Sequence, residues 1–511
     1  MKTVRSYVVG EWYEASDGFV PLVNPSTGET IARVSSRGVD FAAVLRHARE
    51  VGGPALRAMT FGARAELLGA MSKALRAGRD ELLELSCRNN GTTEGDGSFD
   101  IDGASGTLYY YAKLGQGLGD GRFLPDGEGT QLAKTEGFWA QHALTPRLGA
   151  AVHINAFNFP VWGFAEKAAC ALLAGMPVVT KPATATALVA ERAVEMIVEA
   201  DVLPEGALQL VCGSTGDLLD RLGPQDVLAF TGSAATAARL RDRDNFRSTN
   251  VHVNVEADSL NAAVLGPDVE ADGVTLDLFV RDVVREMTQK AGQKCTAVRR
   301  ILVPREAVDR VAARLSDRLA KVTVGDPSRD GVHLGPLATA QQLEDARRGL
   351  EALGGERLFP DGEPDLPQEG YFLAPTLLLD ERGDRPGPVH EIEVFAPVAS
   401  IIPYDGSPAE AGRIVALGGG TLVTSLYSDD AEWLEESVER LAPTTGRIYI
   451  GSEGSAEVAP GSGAALPQTL HGGPGRAGGG EELGGLVGLE LYMQRVAVTG
   501  ERALVERLTG G

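Results

Sequence analysis

The stretch GAAVHINAFNFPVWGFAEKAACALLAGMPVVTK, residues 149–181, reads as an apolar strand, a helix and a second apolar strand. Ala150–Ile154 and Pro177–Lys181 are the strand segments, and Gly163–Ala174 has the Ala- and Leu-rich make-up of a helix, stopped by Gly175. The alternation continues, with Ala185–Ala200 helical, Leu208–Cys212 a strand, Gly216–Leu222 a short helix and Val227–Thr231 a strand. This βαβαβ order builds a doubly wound parallel sheet that binds nucleotides at its carboxyl edge. Val251, Val253 and Val255 then alternate with polar residues, the period of a half-buried strand, and Glu256 ends it.

Outward from that core, Ala55–Gly78 and Arg79–Asn90 have the pattern of amphipathic helices. A second α/β stretch runs from Leu276 to about Gly446. Its first helix places Leu276, Phe279, Val280, Val283, Val284 and Met287 on one face, with Gly292 as a stop, and the strand Val298–Val303 follows. The tail Gly451–Gly488 is Gly-rich with little periodicity. Gly473, Gly475 and Gly478 there satisfy G-x-G-x-x-G, but no strand is expected before them and no helix at the third glycine. A phosphate-binding turn needs both, so loop packing is the expectation.

The chain has 511 residues, enough for two to four domains. Its 48 basic and 70 acidic side chains leave a net charge of −22. Nucleic-acid binding rests on Lys and Arg neutralising phosphates, so that partner class is excluded. The 64 glycines and 27 prolines fall short of the ~25–30% of low-complexity chains. Tyr7–Val9 is too short for the apolar core of a signal peptide. The most apolar run, Ala168–Thr180, is too short to span a bilayer. Cys87, Cys170, Cys212 and Cys295 show neither paired nor metal-ligand spacing, so no metal centre is expected. A cytoplasmic protein without membrane attachment is the expectation.

Three segments carry chemistry. Ala291–Thr296 places Cys295 on a loop past a helix end, accessible for attack; a lone cysteine is otherwise most often a buried, inert thiol. Glu256 sits at a strand's carboxyl end, where an α/β sheet faces its ligand, with an ordinary surface carboxylate as the plainer reading. Ile154–Pro160 holds Asn158 between aromatics and a proline; such an amide either donates to an oxyanion or simply makes a turn.

Together with Lys181-Pro182-Ala183, Phe230-Thr231-Gly232-Ser233 and Glu393-Val394-Phe395-Ala396-Pro397, these segments stand in the order and spacing of the aldehyde dehydrogenase superfamily, which the whole chain resembles. Six ordered motifs outweigh the plainer reading of each. The runs Val152–Pro160, Lys181–Thr186, Thr231–Ala235, Lys290–Thr296 and His471–Gly485 resemble one branch of it, which acts on CoA-linked semialdehydes in aerobic aromatic degradation.

The resemblance implies an α/β fold with three parts. These are a Rossmann-like dinucleotide-binding domain (1–128 and 149–255), an α/β catalytic domain (256–487), and a small β element for oligomerisation (129–148 and 488–511). The last would join a hairpin near Gln131–Pro146 to a tail strand near Leu491–Val498, giving a homodimer or higher homo-oligomer. It implies Cys295 as nucleophile, Asn158 as oxyanion donor with the Cys295 N–H, and Glu256 as the base that activates the hydrolytic water. Lys181, Thr184, Gly232, Ser233, Glu393 and Phe395 would hold the cofactor. NAD-preferring members usually carry Glu where Thr184 stands; a neutral hydroxyl spares a 2′-phosphate that repulsion and favours NADP over NAD. The substrate would be a small aldehyde, CoA-linked, with Arg299 and Arg300 as candidates for the CoA phosphates.

The sequence departs from the family pattern at Ala156-Phe157 for Pro-Trp, at Ala237 and Ala396 for Gly, and at Ala257-Asp258 for a Gly pair. None removes a catalytic group. A CoA-acylating relative would usually lack Glu256, and a non-catalytic descendant would have lost Cys295. A thiol hydrolase would need a His partner, and no His-Asp arrangement is recognisable near Cys295.

Overall fold

The computed structural model describes residues 1–135 and 137–509. Glu136, inside the expected hairpin, and the last two residues of the expected 488–511 segment lie outside the described residues. Two seven-stranded sheets organise the chain. The first has the order His252–Glu256, Val227–Thr231, Ala151–Ile154, Val178–Lys181, Leu208–Leu210, Ser6–Val8, Glu11–Tyr13. Its first five strands are parallel and the last two join antiparallel. Val178–Lys181 is buried along its whole length, as a parallel sheet covered by helices on both faces requires.

The second sheet has the order Glu356–Phe359, Thr376–Leu379, Val398–Tyr404, Arg300–Pro304, Ala262–Leu265, Thr421–Tyr427, Thr445–Gly451 and is parallel except at its first edge. Among the described residues, three small sheets complete the fold. One pairs the hairpin Leu124–Gln131 and Trp139–Pro146 with the tail strand Met493–Gly500, in register from Met493 against Pro146 to Gly500 against Trp139. The hairpin starts at Leu124, so its first arm crosses the expected boundary at residues 128 and 129.

Most expected elements stand within a few residues of where the pattern put them. Ala55–Gly78 departs most. It is two helices, Gly53–Ala58 and Phe61–Ala77, because the Thr60 side chain accepts from the Ala63 N–H and starts a new helix. Gly216–Leu222 contains only the 3₁₀ turn Leu218–Arg221. In the tail, a three-residue strand, Leu470–Gly472, does precede Gly473 and pairs with Glu481–Leu483. No helix opens at Gly478; a Cβ there would stand 2.3 Å from the Val255 carbonyl oxygen. Close backbone packing is what those glycines serve: Gly478 against the strand that ends in Glu256, Gly473 against Thr421 and Gly475 against Gly419.

The helix Trp162–Ala174 is buried at every residue, Glu166 and Lys167 included. Its own N-cap residue offers no side-chain bond. Asp100, from the long helix Glu94–Leu118, supplies it, accepting from the Trp162 N–H at 2.7 Å and the Val161 N–H at 3.4 Å. A carboxylate at a helix start satisfies orphan donors and faces the positive end of the dipole.

Candidate active site

Strand order in the first sheet reverses around Ala151–Ile154, which has Val178–Lys181 on one side and Val227–Thr231 on the other. At such a switch point the loops leave in opposite directions and open a crevice beyond the carboxyl ends. A cavity of about 460 Å³ lies there, lined by Asn158, Gly232, Ser233, Glu256, Cys295, Glu393 and Phe395 among others. Seven residues scattered over more than two hundred positions thus meet at one place. Lys181 and Thr184 lie apart from that lining.

The turn that delivers Cys295 is unusual. Lys290, Ala291 and Gly292 are consecutively left-handed, at φ 53°, 53° and 67°. The first two pay a steric penalty for their Cβ, so neighbours must hold them. Asp96 accepts from the Lys290 N–H at 2.9 Å, Arg299 donates to the Gly292 carbonyl at 2.8 Å, and Asn261 donates to the Cys295 carbonyl at 2.8 Å. A Cβ on Gly292 would stand 2.3 Å from the Ala396 carbonyl, so glycine is required by space as well as by φ. The Asn158 amide is oriented by donating to the Gln293 carbonyl at 3.0 Å, and an amide carries a second N–H for a ligand.

Glu256 is buried, and its Oε2 lies 3.0 Å from His471 Nε2. The same Nε2 lies 3.7 Å from Cys295 Sγ. Burial alone would push the Glu256 carboxyl up, but the charge of His471 overcomes it and holds Glu256 down to about 2. Burial, and then the Glu256 charge, pushes the Cys295 thiol up to about 11. His471 is raised well above its ordinary value by Glu256 in spite of burial. Glu393 is pushed up to about 7 by burial, with Arg299 opposing. Its Oε2 accepts from the Ser259 N–H at 3.1 Å, while its Oε1 is buried without a hydrogen bond.

The sequence pattern of the "Aldehyde dehydrogenase family" matches residues 12–498. The chain belongs to that family. It is 46% identical over 478 residues to the 3,4-dehydroadipyl-CoA semialdehyde dehydrogenase of Aromatoleum evansii, covering 92% of this chain and 93% of that one. Lactaldehyde dehydrogenase of Escherichia coli superposes with a TM-score of 0.85 at 23% identity, over 97% of this chain and 99% of that one. A betaine aldehyde dehydrogenase variant of Staphylococcus aureus, solved in complex with NAD+, gives 0.82 at 22%, over 98% and 96%. These solved structures establish the aldehyde dehydrogenase fold.

Two sequence expectations for this family member are corrected by the structure. Arg299 and Arg300 do not face a CoA phosphate, because both are buried. Arg299 binds the carbonyls of Ala396 and Gly292, and Arg300 binds those of Leu260, Ile414 and Val415. A histidine does partner Cys295, and it comes from the Gly-rich tail. Sequence reasoning missed His471 because the hairpin that carries it is only three residues long on each side. It also missed Lys167, whose Nζ lies 2.6 Å from Glu166 Oε1 and 3.0 Å from Glu482 Oε2. Carboxylate oxygens of Glu166, Glu256 and Glu482 lie within 4.8 Å of one another. The available signal was a Glu-Lys pair inside an otherwise apolar helix, since such charges are seldom buried unless paired.

The residues that the resemblance assigns to the cofactor are less uniform. Lys181 is buried and its Nζ donates to the Pro182 carbonyl at 2.7 Å. Thr184 lines a separate cavity of about 440 Å³ with Ser36, Arg37 and Ser214. Ser233 caps its own helix, Ala234–Arg241, accepting from the Thr236 N–H. The Ala234 N–H donates to Asp258 at 2.9 Å, so a carboxylate already sits at that helix start.

Proposed function

We propose that this aldehyde dehydrogenase oxidises a CoA-linked semialdehyde to the acid with NADP, 3,4-dehydroadipyl-CoA semialdehyde being the substrate the 46% identical relative points to. The observation that carries the reading is the meeting of Cys295, Asn158 and Glu256 on the switch-point cavity. A narrow passage lined by Phe99, Phe159 and Trp162 leads away from Cys295 on another side. It shares Phe99, Gly103, Trp162 and Ala465 with a surface cleft of about 520 Å³. Cofactor and a long acyl substrate can therefore reach the sulfur from different directions. Lys113 and Tyr109 stand in that cleft, in place of the buried Arg299 and Arg300, as groups for the CoA end.

Residues on the main cavity fit a nicotinamide dinucleotide: Thr231 Oγ1 and Glu393 Oε1 are buried there without hydrogen bonds, as ribose and amide groups would require. Bound, that cofactor supplies the hydride acceptor. The Cys295 thiolate attacks the aldehyde carbon, and the carbonyl electron pair moves to an oxygen held by Asn158 and the Cys295 N–H. Loss of hydride from that carbon leaves a thioester on Cys295. Glu256 then takes a proton from water, which attacks the thioester and releases the acid and the thiolate. The buried Lys167, Glu166 and Glu482 give that proton a place to go. Asp258 at the helix start works against a diphosphate there.

The chemistry needs a reduced thiol, in keeping with a cytoplasmic enzyme. The test supplies 3,4-dehydroadipyl-CoA semialdehyde and its eight-carbon counterpart, 3-oxo-5,6-dehydrosuberyl-CoA semialdehyde, with NADP and NAD in parallel. Turnover is expected with the six-carbon substrate and NADP, and none in Cys295→Ala. Thr184→Glu should raise the KM for NADP roughly tenfold and spare NAD, as one like-charge contact would. Faster turnover of the eight-carbon substrate assigns the chain to phenylacetate degradation instead. Cys295→Ala turning over at the wild-type rate would leave only a non-catalytic role for the cavity.

A further inference from the structure

Among the described residues, His471 is the group whose place the sequence reading left without a task. It comes from the short strand Leu470–Gly472, which pairs with Glu481–Leu483 and so lies over the end of the strand bearing Glu256. Its ring packs edge-on against Trp162, with centroids 5.7 Å apart, which fixes the imidazole plane. Cys295 Sγ lies within hydrogen-bonding reach and direction of Nε2 at 3.7 Å. Glu256 Oε2 is nearer, at 3.0 Å, yet makes no directed hydrogen bond. The nitrogen thus lies between the sulfur and the carboxylate, with the Glu256 charge beside the ring.

We propose that His471, kept charged by Glu256, is a further catalytic residue whose imidazolium lies against Cys295 Sγ and stabilises the thiolate. The inference rests on Cys295 being the nucleophile. In the step, the S–H bond breaks with its electron pair left on sulfur, the proton passes to water in the cavity that Cys295 lines, and the charged imidazole holds the thiolate. No electrons leave the protein. The step answers a difficulty of the site. The half-buried thiol, beside a carboxylate, is pushed away from ionisation, and a cation in contact opposes that push.

The other charged groups around the ring are accounted for. Glu166 and Lys167 face it from the helix Trp162–Ala174, Glu482 from the paired strand, and Glu256 and Cys295 from the sheet edge and the strained turn. Lys167 is bridged to Glu166 and Glu482, so Glu256 is the carboxylate left for His471. A consequence for the second half-reaction follows. While His471 is charged, Glu256 is held too low to be an effective base. The imidazolium must discharge before the thioester is hydrolysed, so the two residues act in turn.

The test is the pH profile of Cys295 alkylation by iodoacetamide, which needs neither cofactor nor turnover. Wild type is compared with His471→Gln and His471→Asn, and Cys295→Ser gives the background from the other three cysteines. Loss of an adjacent imidazolium moves a thiol upward by about 1–3 pH units. The His471 variants should therefore show the inflection at least one unit higher and alkylate roughly tenfold more slowly near pH 7. An inflection unchanged from wild type overturns the proposal. Should neither variant fold, the His471 imidazole is followed by NMR in wild type and in Cys295→Ser. Its titration should change when the thiol is removed, and an identical titration in both overturns the proposal. Absent turnover on any aldehyde would sink the dehydrogenase reading while leaving the alkylation result standing, so the two fail separately.

Discussion

Glu393 shows how burial tunes a single contact. Its carboxyl is pushed up to about 7, mainly by burial, with the Arg299 guanidinium opposing. One oxygen is held by the Ser259 N–H, and the other is buried 3.5 Å from Arg299 Nε without a hydrogen bond. A carboxylate accepts hydrogen bonds from ribose hydroxyls more strongly than the neutral acid does. Because the folded value lies above the ordinary one, the charged form is lost as pH falls through about 7, well before an exposed glutamate would protonate. The KM for the dinucleotide should therefore rise severalfold between pH 8 and pH 6 in wild type and stay flat in Glu393→Gln. Steady-state kinetics at fixed aldehyde reads this directly, and a parallel rise in both proteins would remove Glu393 from the cofactor site. At this scale the sequence was informative about residue type: Cys295, Glu256, Asn158, Glu393 and Phe395 all reach the cavity. It was silent on their electrostatic neighbours, which come from distant parts of the chain.

Among elements, the helix Trp162–Ala174 and the turn at Lys290–Gly292 depend on the long helix Glu94–Leu118. Asp100 caps the former and Asp96 holds the latter, both from inside the protein. Removing a buried acceptor strands its donor at a cost of about 1–3 kcal/mol. Asp100→Ala should lower the thermal unfolding midpoint by several degrees, whereas Asp100→Asn keeps an acceptor oxygen and should recover most of the loss. Thermal denaturation of the three proteins side by side checks this; equal midpoints for the Ala and Asn variants would mean that the cap contributes nothing. The pattern around 79–90 predicts a helix well, because propensity and periodicity agree there. The break at Thr60 was hidden, since a capping threonine inside a helical pattern looks like any other polar position.

At the scale of the molecule, the sheet formed by Leu124–Gln131, Trp139–Pro146 and Met493–Gly500 has two free edges among the described residues. Exposed strand edges are usually paired or covered, and pairing between copies is the simplest way to do so. The chain should sediment at twice its own mass or more. Val496, an apolar side chain exposed on the tail strand, is where Val496→Glu should shift the distribution toward monomer. A wild-type protein that sediments as a single chain would rule out assembly through this sheet.

Local pattern determined the βαβ alternation, the strand ends and the chemistry-bearing residue types, because side-chain periodicity and turn preferences act between near neighbours. The departure at Ala257-Asp258 was visible in the sequence, but its consequence, a carboxylate at the start of the helix Ala234–Arg241, needed the fold. The burial of Arg299 and Arg300, the delivery of His471 to Cys295 and the Lys167 cluster were decided by tertiary structure alone. Each depends on groups far apart in the chain meeting at low dielectric, where a charge must find a partner or lose its proton. No local signal encodes which distant residue that partner will be.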